Sequence, residues 1–326
     1  MQKPNLFVVL PPDHYVLKKV LEIRDVANIS VGNDPATIER AAPQAEVILY
    51  AGLTGKSIPF REVWKHADGV RWIHTLSAGL DKLLTAELIN SPVVITNARG
   101  VYKGSLAEFV IAGMLFFSKR IRRLVDNQRA HRWDDFTVDW LRGKVMGVVG
   151  YGEIGQECAR LAKAAGVRVY ATRKKTHLSQ QDPYAERIFP TNKLSEMLKE
   201  IDVLVAAAPL TPETHHMISS HQFAVMKPTA LVMNVGRGPV IDETALVQAL
   251  RQGQVAGAAL DVFETEPLAP DHPFWDMDNV LISPHCTDRT TNPDWLEMSA
   301  EVFLENFRHY INGEPLKNVV DKKAGY

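Results

Sequence analysis

A five-residue apolar run, Val145–Val149, leads directly into Gly150-Tyr-Gly-Glu-Ile-Gly155. The glycine segment leads in turn into a stretch that carries Ile154, Cys158, Leu161 and Ala162 at helical spacing. A buried strand that must turn at once into a helix leaves few folds open. Gly150 permits the tight turn, Gly152 lets a phosphate approach the backbone, and Gly155 lets the helix close on the strand. The helix N-terminus adds unpaired amides and a positive dipole end. A glycine pattern alone occurs by chance; the strand before it and the helix after it give it the context of a dinucleotide fingerprint. Gly150, Tyr151, Gly152, Glu153, Ile154 and Gly155 are therefore expected to cradle the cofactor.

Strand and helix signals alternate on both sides of this loop, as in parallel sheets covered by helices. Leu6–Leu10, Val47–Ala51, Trp72–Leu76 and Val93–Thr96 read as strands, separated by helical stretches at Tyr15–Val26, Ala36–Ala42 and Lys82–Asn90. Leu106, Phe109, Val110, Gly113, Met114 and Phe117 predict one long helix over Ser105–Ala130, and Arg132–Leu141 reads as a connection rich in tryptophan. Six further strands follow: Val145–Val149, Val167–Ala171, Val203–Ala207, Leu231–Asn234, Ala258–Asp261 and Val280–Ser283. The helix after Asn292 is too short for a domain of its own and is expected to return to the first one. The reading is an α/β chain of two doubly wound parallel-sheet domains with a cleft between them. Residues 1–99 and 293–326 would form a flavodoxin-like substrate lobe, and 100–292 a Rossmann cofactor lobe that closes to exclude water.

Composition permits this. A chain of 326 residues suits roughly two domains of about 150 each, and 46% apolar residues fill ordinary cores. A net charge of −1 gives no global field for nucleic acid or anionic membranes. Cys158 and Cys286 make neither a disulfide framework nor a metal spacing, and no metal site is expected. The N-terminal apolar run ends at Pro11-Pro12, as a first strand and not a signal peptide, and no run approaches the ~20 residues of a membrane span. A cytoplasmic enzyme with reduced thiols follows.

The end of the second strand after the glycine loop usually carries an acid that bonds the adenosine ribose in NAD enzymes. Here the chain runs Val169-Tyr-Ala-Thr-Arg-Lys-Lys175. Arg173 can grip a 2′-phosphate bidentately, with Thr172 and Lys174 as further donors. NADP(H) is the expected cofactor, with NAD(H) the alternative.

The remaining signals are Arg237 in VGRGPVID, Asp261 and Glu266 in LDVFETEP, and His285 in SPHC. Arginine, carboxylate and imidazole together can hold and protonate a 2-keto acid during hydride transfer. Pro284 ends the last strand, which leaves His285 at the carboxyl edge where ligands of open α/β sheets bind. With LSAGLDKL, NARGVYKGSLAEFVIAGML, PLTPETHHMI and NVLISPH in order, the chain resembles the D-isomer-specific 2-hydroxyacid dehydrogenases from about Val47 onward, closest in pattern to glyoxylate/hydroxypyruvate reductases. The resemblance implies roles. His285 would be the acid, Glu266 the carboxylate that fixes its tautomer, and Arg237 the clamp on the substrate carboxylate. Ser77, Ala78, Gly79 and Leu53 would line the substrate site together with Arg237 and His285. Asp261 would orient the nicotinamide carboxamide, and Pro209, Thr214, Val235 and Gly236 would complete the cofactor site.

The chain also departs from the family. After the histidine, where small apolar residues are usual, stands Cys286-Thr-Asp-Arg-Thr-Thr291. Cys286 has no evident base and reads as a wall, and His215-His216 as a solvated pair. A small 2-keto acid is the expected substrate and a homodimer through Ser105–Ala130 the expected assembly. The competing readings are an NAD-dependent dehydrogenase of another hydroxy acid, a formate dehydrogenase relative, and a nucleotide-sensing interaction protein. Glu266, where glutamine would stand, argues against the second. The lack of disordered extensions argues against the third.

Overall fold

Interior strands covered on both faces are mostly apolar, and this chain builds two all-parallel sheets around such strands. A computed structural model describes residues 3–52, 58–80, 83–174 and 181–325. It divides into two compact units, Met1–Tyr102 with Arg289–Tyr326, and Lys103–Asp288.

In the first unit β1 (Asn5–Val9), β2 (Asn28–Val31), β3 (Val47–Tyr50), β4 (Trp72–Thr75) and β5 (Val94–Asn97) lie in the order β2-β1-β3-β4-β5, the flavodoxin-like winding. Alternation sorts the side chains. Leu6 and Val8 enter one core with Trp72; Phe7 and Val9 enter the other with Ile48, Phe60 and Ile73. The first core is closed by the helix Trp295–Asn312, whose Leu296, Ala300, Phe303, Leu304 and Phe307 are buried there. Phe303 stacks on Trp72 with centroids 5.5 Å apart, and burying a side chain of that size stabilises by roughly 1.5–3 kcal/mol. Asp294 caps this helix by accepting from the amides of Leu296 and Glu297.

Among the described residues the second unit contains seven strands, not six: β6 (Val145–Val149), β7 (Arg168–Thr172), β8 (Arg187–Phe189), β9 (Val203–Ala206), β10 (Leu231–Asn234), β11 (Gly257–Leu260) and β12 (Val280–Ile282). Their order is β12-β11-β10-β9-β6-β7-β8, so the winding of successive strands reverses between β6 and β9. That is the doubly wound dinucleotide-binding arrangement with one strand added. The additional strand relative to the sequence reading is β8, three residues at the sheet edge. The first sheet likewise gains the edge strand β2.

The helical readings shorten in several places. Tyr15–Val26 becomes Leu17–Val20 with a 3₁₀ turn over Leu21–Ile23. Of the helix read over Lys82–Asn90, Lys82 lies outside the described residues and Ala86–Asn90 is helical, with Thr85 as its cap. The long helix expected over Ser105–Ala130 is two, Lys103–Ser118 and Ile121–Arg129, broken where Arg120 adopts a left-handed backbone with φ 52°. The first of the two packs on the sheet at Gly113, where an added Cβ would lie 3.0 Å from Ala259 and 3.3 Å from Met233. Among the described residues no helix is long and apolar enough to cross a membrane.

Candidate active site

The glycine loop sits at the carboxyl end of β6. Gly150 has φ +91°, and a Cβ there would fall 2.4 Å from the Ala208 nitrogen; at Gly155 it would fall 2.4 Å from the Gly150 carbonyl oxygen. Both glycines are obligatory for close packing. At Gly152 a Cβ would meet nothing within 4 Å. Gly152 is also the N-cap of the helix Glu153–Ala164 and supplies no side-chain cap. An open approach over an uncapped helix N-terminus fits a pyrophosphate, so these residues suit a dinucleotide. Tyr151, within the loop, is buried and donates its hydroxyl to Asp182 Oδ1 at 2.7 Å.

At the end of β7 Arg173 is half-buried and Lys174 exposed, the latter 3.9 Å from Glu213. Thr172, expected to offer a donor here, is buried instead, and its covered hydroxyl has no partner among the described residues. Lys175 lies outside the described residues. A carboxylate not anticipated from the sequence, Asp182, accepts from the Tyr151 hydroxyl and from the amides of Tyr184 and Ala185. These bonds hold its pKa below the usual value against the effect of burial, and the Arg173 charge acts in the same direction. Nothing around the glycine loop announces Asp182, which arrives on the chain that leads into β8. Pro209 is exposed at the end of the β9 loop, where its carbonyl accepts from Thr214 Oγ1 at 2.6 Å; Val235 and Gly236 are buried after β10.

Arg237 follows β10 in a turn built by Asn234. The Asn234 amide donates to the Arg237 carbonyl at 3.0 Å, and its oxygen accepts from the Gly236 nitrogen at 3.1 Å. An asparagine closing a strand before Gly-Arg-Gly is the signal that would have found this support. The guanidinium is held in part by Nη1 donating to the Gly236 carbonyl at 2.8 Å.

His285 follows β12. Its Nδ1 lies 2.7 Å from Glu266 Oε2, and Glu266 Oε1 accepts from the Phe263 nitrogen at 3.1 Å. The pKa of His285 is raised, first by the Glu266 hydrogen bond; burial opposes this, the charges of Glu266 and Asp261 assist, and Arg237 opposes. The structure thus brings Arg237, Asp261, Glu266 and His285 into one electrostatic neighbourhood. The His285 backbone is left-handed, with φ 51°, a conformation costing about 1–2 kcal/mol outside glycine. It turns the next two amides onto one acceptor: Cys286 N and Thr287 N donate to Asp261 Oδ1 at 3.2 and 3.3 Å. Asp261 itself is 1% exposed.

Beside this group, His216 Nε2 lies 2.9 Å from Glu264, and Asp242 caps the helix Glu243–Arg251 through the Ala245 nitrogen. Ligand atoms of His216, Asp242 and Glu264 lie within 4.8 Å of one another. His215 is exposed and stacks on His216.

In the first unit Ser77, Ala78 and Gly79 follow β4. Their carbonyls are engaged by the Ala98 nitrogen, the Asn97 side chain and the Ser77 hydroxyl respectively. The amides of Ala78 and Gly79 have no acceptor among the described residues. Leu53 lies outside the described residues.

The chain matches the family model "D-isomer specific 2-hydroxyacid dehydrogenase, NAD binding domain" over residues 111–287. It is 33% identical to a glyoxylate reductase of Aeropyrum pernix over 336 aligned positions, covering 99% of this chain and 98% of the relative. It is 34% identical to a glyoxylate reductase of Thermococcus gammatolerans over 273 positions, 81% of this chain and 80% of that one. The crystal structure of the NADPH-dependent glyoxylate/hydroxypyruvate reductase of Sinorhizobium meliloti, in complex with NADP and sulfate, is similar with a TM-score of 0.84 at 25% identity, covering 100% of both chains. With the doubly wound sheet and the glycine loop, these likenesses place the chain in the D-isomer-specific 2-hydroxyacid dehydrogenase family, as an oxidoreductase with an NAD(P)-binding domain.

Proposed function

We propose that the protein reduces small 2-keto acids of the glyoxylate and hydroxypyruvate type to D-2-hydroxy acids, with NADPH preferred and His285 as the acid. The observation that carries this reading is the imidazole–carboxylate pair, His285 Nδ1 at 2.7 Å from Glu266. With Nδ1 committed to the carboxylate, Nε2 is the nitrogen left to give a proton. The dinucleotide, when bound, supplies a hydride to the carbonyl carbon. His285 Nε2 delivers its proton to the carbonyl oxygen, and Glu266 stabilises the imidazolium that precedes this step. Arg237 holds the substrate carboxylate and draws charge from the carbonyl. In the first unit, the adjacent amides of Ala78 and Gly79 are assigned to an anion, in the manner of a backbone nest.

NADPH preference is supported by Arg173 and Lys174 at the end of β7. The nearby carboxylate, Asp182, is already committed to a tyrosine hydroxyl and two amides. The test is a matrix of NADH and NADPH against glyoxylate, hydroxypyruvate, pyruvate and phenylpyruvate, read as kcat/KM. A charge-assisted bond to the 2′-phosphate is worth roughly 1.5–3 kcal/mol, so Arg173→Ala should raise KM for NADPH by about one to two decades and leave NADH nearly unchanged. The preference should weaken with salt. Equal use of both nucleotides by the unmodified protein would sink the assignment.

A homodimer is supported by an apolar surface on and after the helix Ile121–Arg129. Trp133 is 101% exposed and Trp140 70%, and Leu124 and Val125 are exposed beside them in sequence. Exposed aromatics in such number suit a contact between subunits. Sedimentation should give twice the chain mass, and Trp133→Glu with Trp140→Glu should shift the protein toward monomer; a monomeric unmodified protein would remove this surface from consideration.

A further inference from the structure

Cys286-Thr287 stands where the family resemblance leads one to expect small apolar residues, and the reaction scheme above gives Thr287 no role. We infer that Thr287 is a positioning residue: its hydroxyl locks the Asp261 carboxylate as the post around which the His285 loop is wound, and so sets the His285–Glu266 geometry. This rests on the reading of His285 as the acid.

The bonds around Asp261 carry the inference. An ionised carboxylate offers about four acceptor sites. Oδ1 accepts from Ser283 Oγ at 2.7 Å and from the Cys286 and Thr287 nitrogens at 3.2 and 3.3 Å; Oδ2 accepts from Thr287 Oγ1 at 2.6 Å. Every one of these donors comes from the loop that holds His285. The loop is pinned at both ends: the Ser283 nitrogen donates to the Leu260 carbonyl at 2.8 Å, and Ser105 Oγ donates to the Thr287 carbonyl. His285 lies between the two hydroxyl anchors, in the left-handed conformation that lets both following amides reach Oδ1.

Among the described residues the donor that Oδ2 accepts from is the Thr287 hydroxyl. Without it, a buried carboxylate oxygen is left unsatisfied, which is costly enough to re-aim the side chain. The two amide bonds, already at the long end of normal length, weaken first. The loop then loses the restraint that keeps the imidazole on Glu266. The charged groups acting on the imidazole are Glu266 and Asp261, which favour its protonated form, and Arg237, which opposes it. A looser loop weakens the first two.

The experiment is an NMR titration of the His285 ring in the full chain, its signal identified by its loss in His285→Gln. It compares the unmodified protein, Thr287→Ser and Thr287→Val. Thr287→Ser keeps the hydroxyl and should titrate as the unmodified protein does. Thr287→Val should titrate at lower pH. Its kcat should fall on the order of tenfold, and the alkaline limb of kcat/KM should move to lower pH. A valine variant that titrates like the unmodified protein, or a serine variant that falls as far as the valine one, overturns the inference. If Thr287→Val does not fold, Ser283→Ala, which removes the other hydroxyl anchor, must shift the titration in the same direction. The titration needs no turnover, so it judges the clamp separately from the acid assignment. Full activity in His285→Gln would overturn that assignment instead.

Discussion

His74 lies in the middle of β4 in one unit; His285 lies just beyond β12 in the other. His74 is fully buried, and burial alone pushes its pKa down to about 3. Its Nδ1 is 2.7 Å from Thr96 Oγ1, the same oxygen that accepts from Trp72 Nε1 at 2.8 Å, and its Nε2 has no partner among the described residues. His285 is 40% exposed at its side chain and faces a carboxylate, and its pKa is raised. Both follow from position in a parallel sheet. A residue inside a strand is walled by helices on both faces, so an imidazole there must stay neutral and packs as a polar hydrophobe beside Phe303. A residue at the carboxyl edge meets loops, which can bring it a charge. The presence of a histidine carries little functional meaning; the partner supplied by the turn carries most of it.

The strongest way to break the comparison is to remove each ring. His285→Ala should cost about two to four decades in kcat/KM at every pH, the range for a positioned general acid. His74→Leu should leave kcat/KM close to that of the unmodified protein. Arg237→Ala belongs with the first effect, losing at least ~3 kcal/mol of transition-state stabilisation, and Arg237→Lys should recover little, because lysine cannot form the two-pronged carboxylate contact. A His74 variant as crippled as the His285 one would erase the distinction. Near-normal kcat/KM in Arg237→Lys would show that Arg237 is not the clamp.

The carboxylate is the element that separates the two histidines, and Glu266→Gln removes its charge while keeping its shape. With His285 as the proposed acid, reduction would need the imidazolium, so kcat/KM should fall as pH rises through the His285 pKa. Losing the charge lowers that pKa, and the alkaline limb moves to lower pH. A hydrogen bond to a charged group is worth roughly 1.5–3 kcal/mol, and the exposure of this imidazole puts the effect near the lower figure, about one decade on the alkaline side. An alkaline limb that stays in place would end the pairing.

The sequence made some of this legible and concealed the rest for physical reasons. Interior strands such as β3 and β6 are buried along their whole length, so an unbroken apolar run marks them. The edge strands β2 and β8 alternate with exposed polar residues or span three positions, too little for a period to show. The break at Arg120 has no glycine or proline to announce it. Arg237, Glu266 and His285 stand out in the sequence as candidate site residues because each sits in a turn with its own short motif. The Asp182 carboxylate beside the glycine loop was not, because a contact between Tyr151 and Asp182 spans 31 residues with no periodic signal between them. Asp261 was visible, but its donors were not: the hydroxyls of Ser283 and Thr287 reach it only after β11 and β12 lie side by side. The substrate expectation for Leu53 falls outside the described residues.

The mildest test concerns stability and isolates His74. Its folded pKa of about 3 lies below the ordinary 6.5, so between those values the unfolded chain binds the proton and the folded chain does not. Folding stability from this group is therefore complete above about pH 6.5 and declines as pH falls toward 3. The slope is about 1.4 kcal/mol per pH unit for one proton taken up on unfolding. His285 acts in the opposite sense: its raised pKa adds stability at low pH and surrenders it as pH rises through the folded value. His74→Leu should flatten the acid side of the stability curve by that slope, measured by urea unfolding at pH 5 to 7, and His285→Ala should not. The leucine also removes an Nε2 that has no partner among the described residues, which offsets part of the cost of losing the bond to Thr96 Oγ1. If the acid-side slope survives in His74→Leu, the proton is being taken up elsewhere, and the contrast between an imidazole inside a strand and one at its edge loses its thermodynamic half.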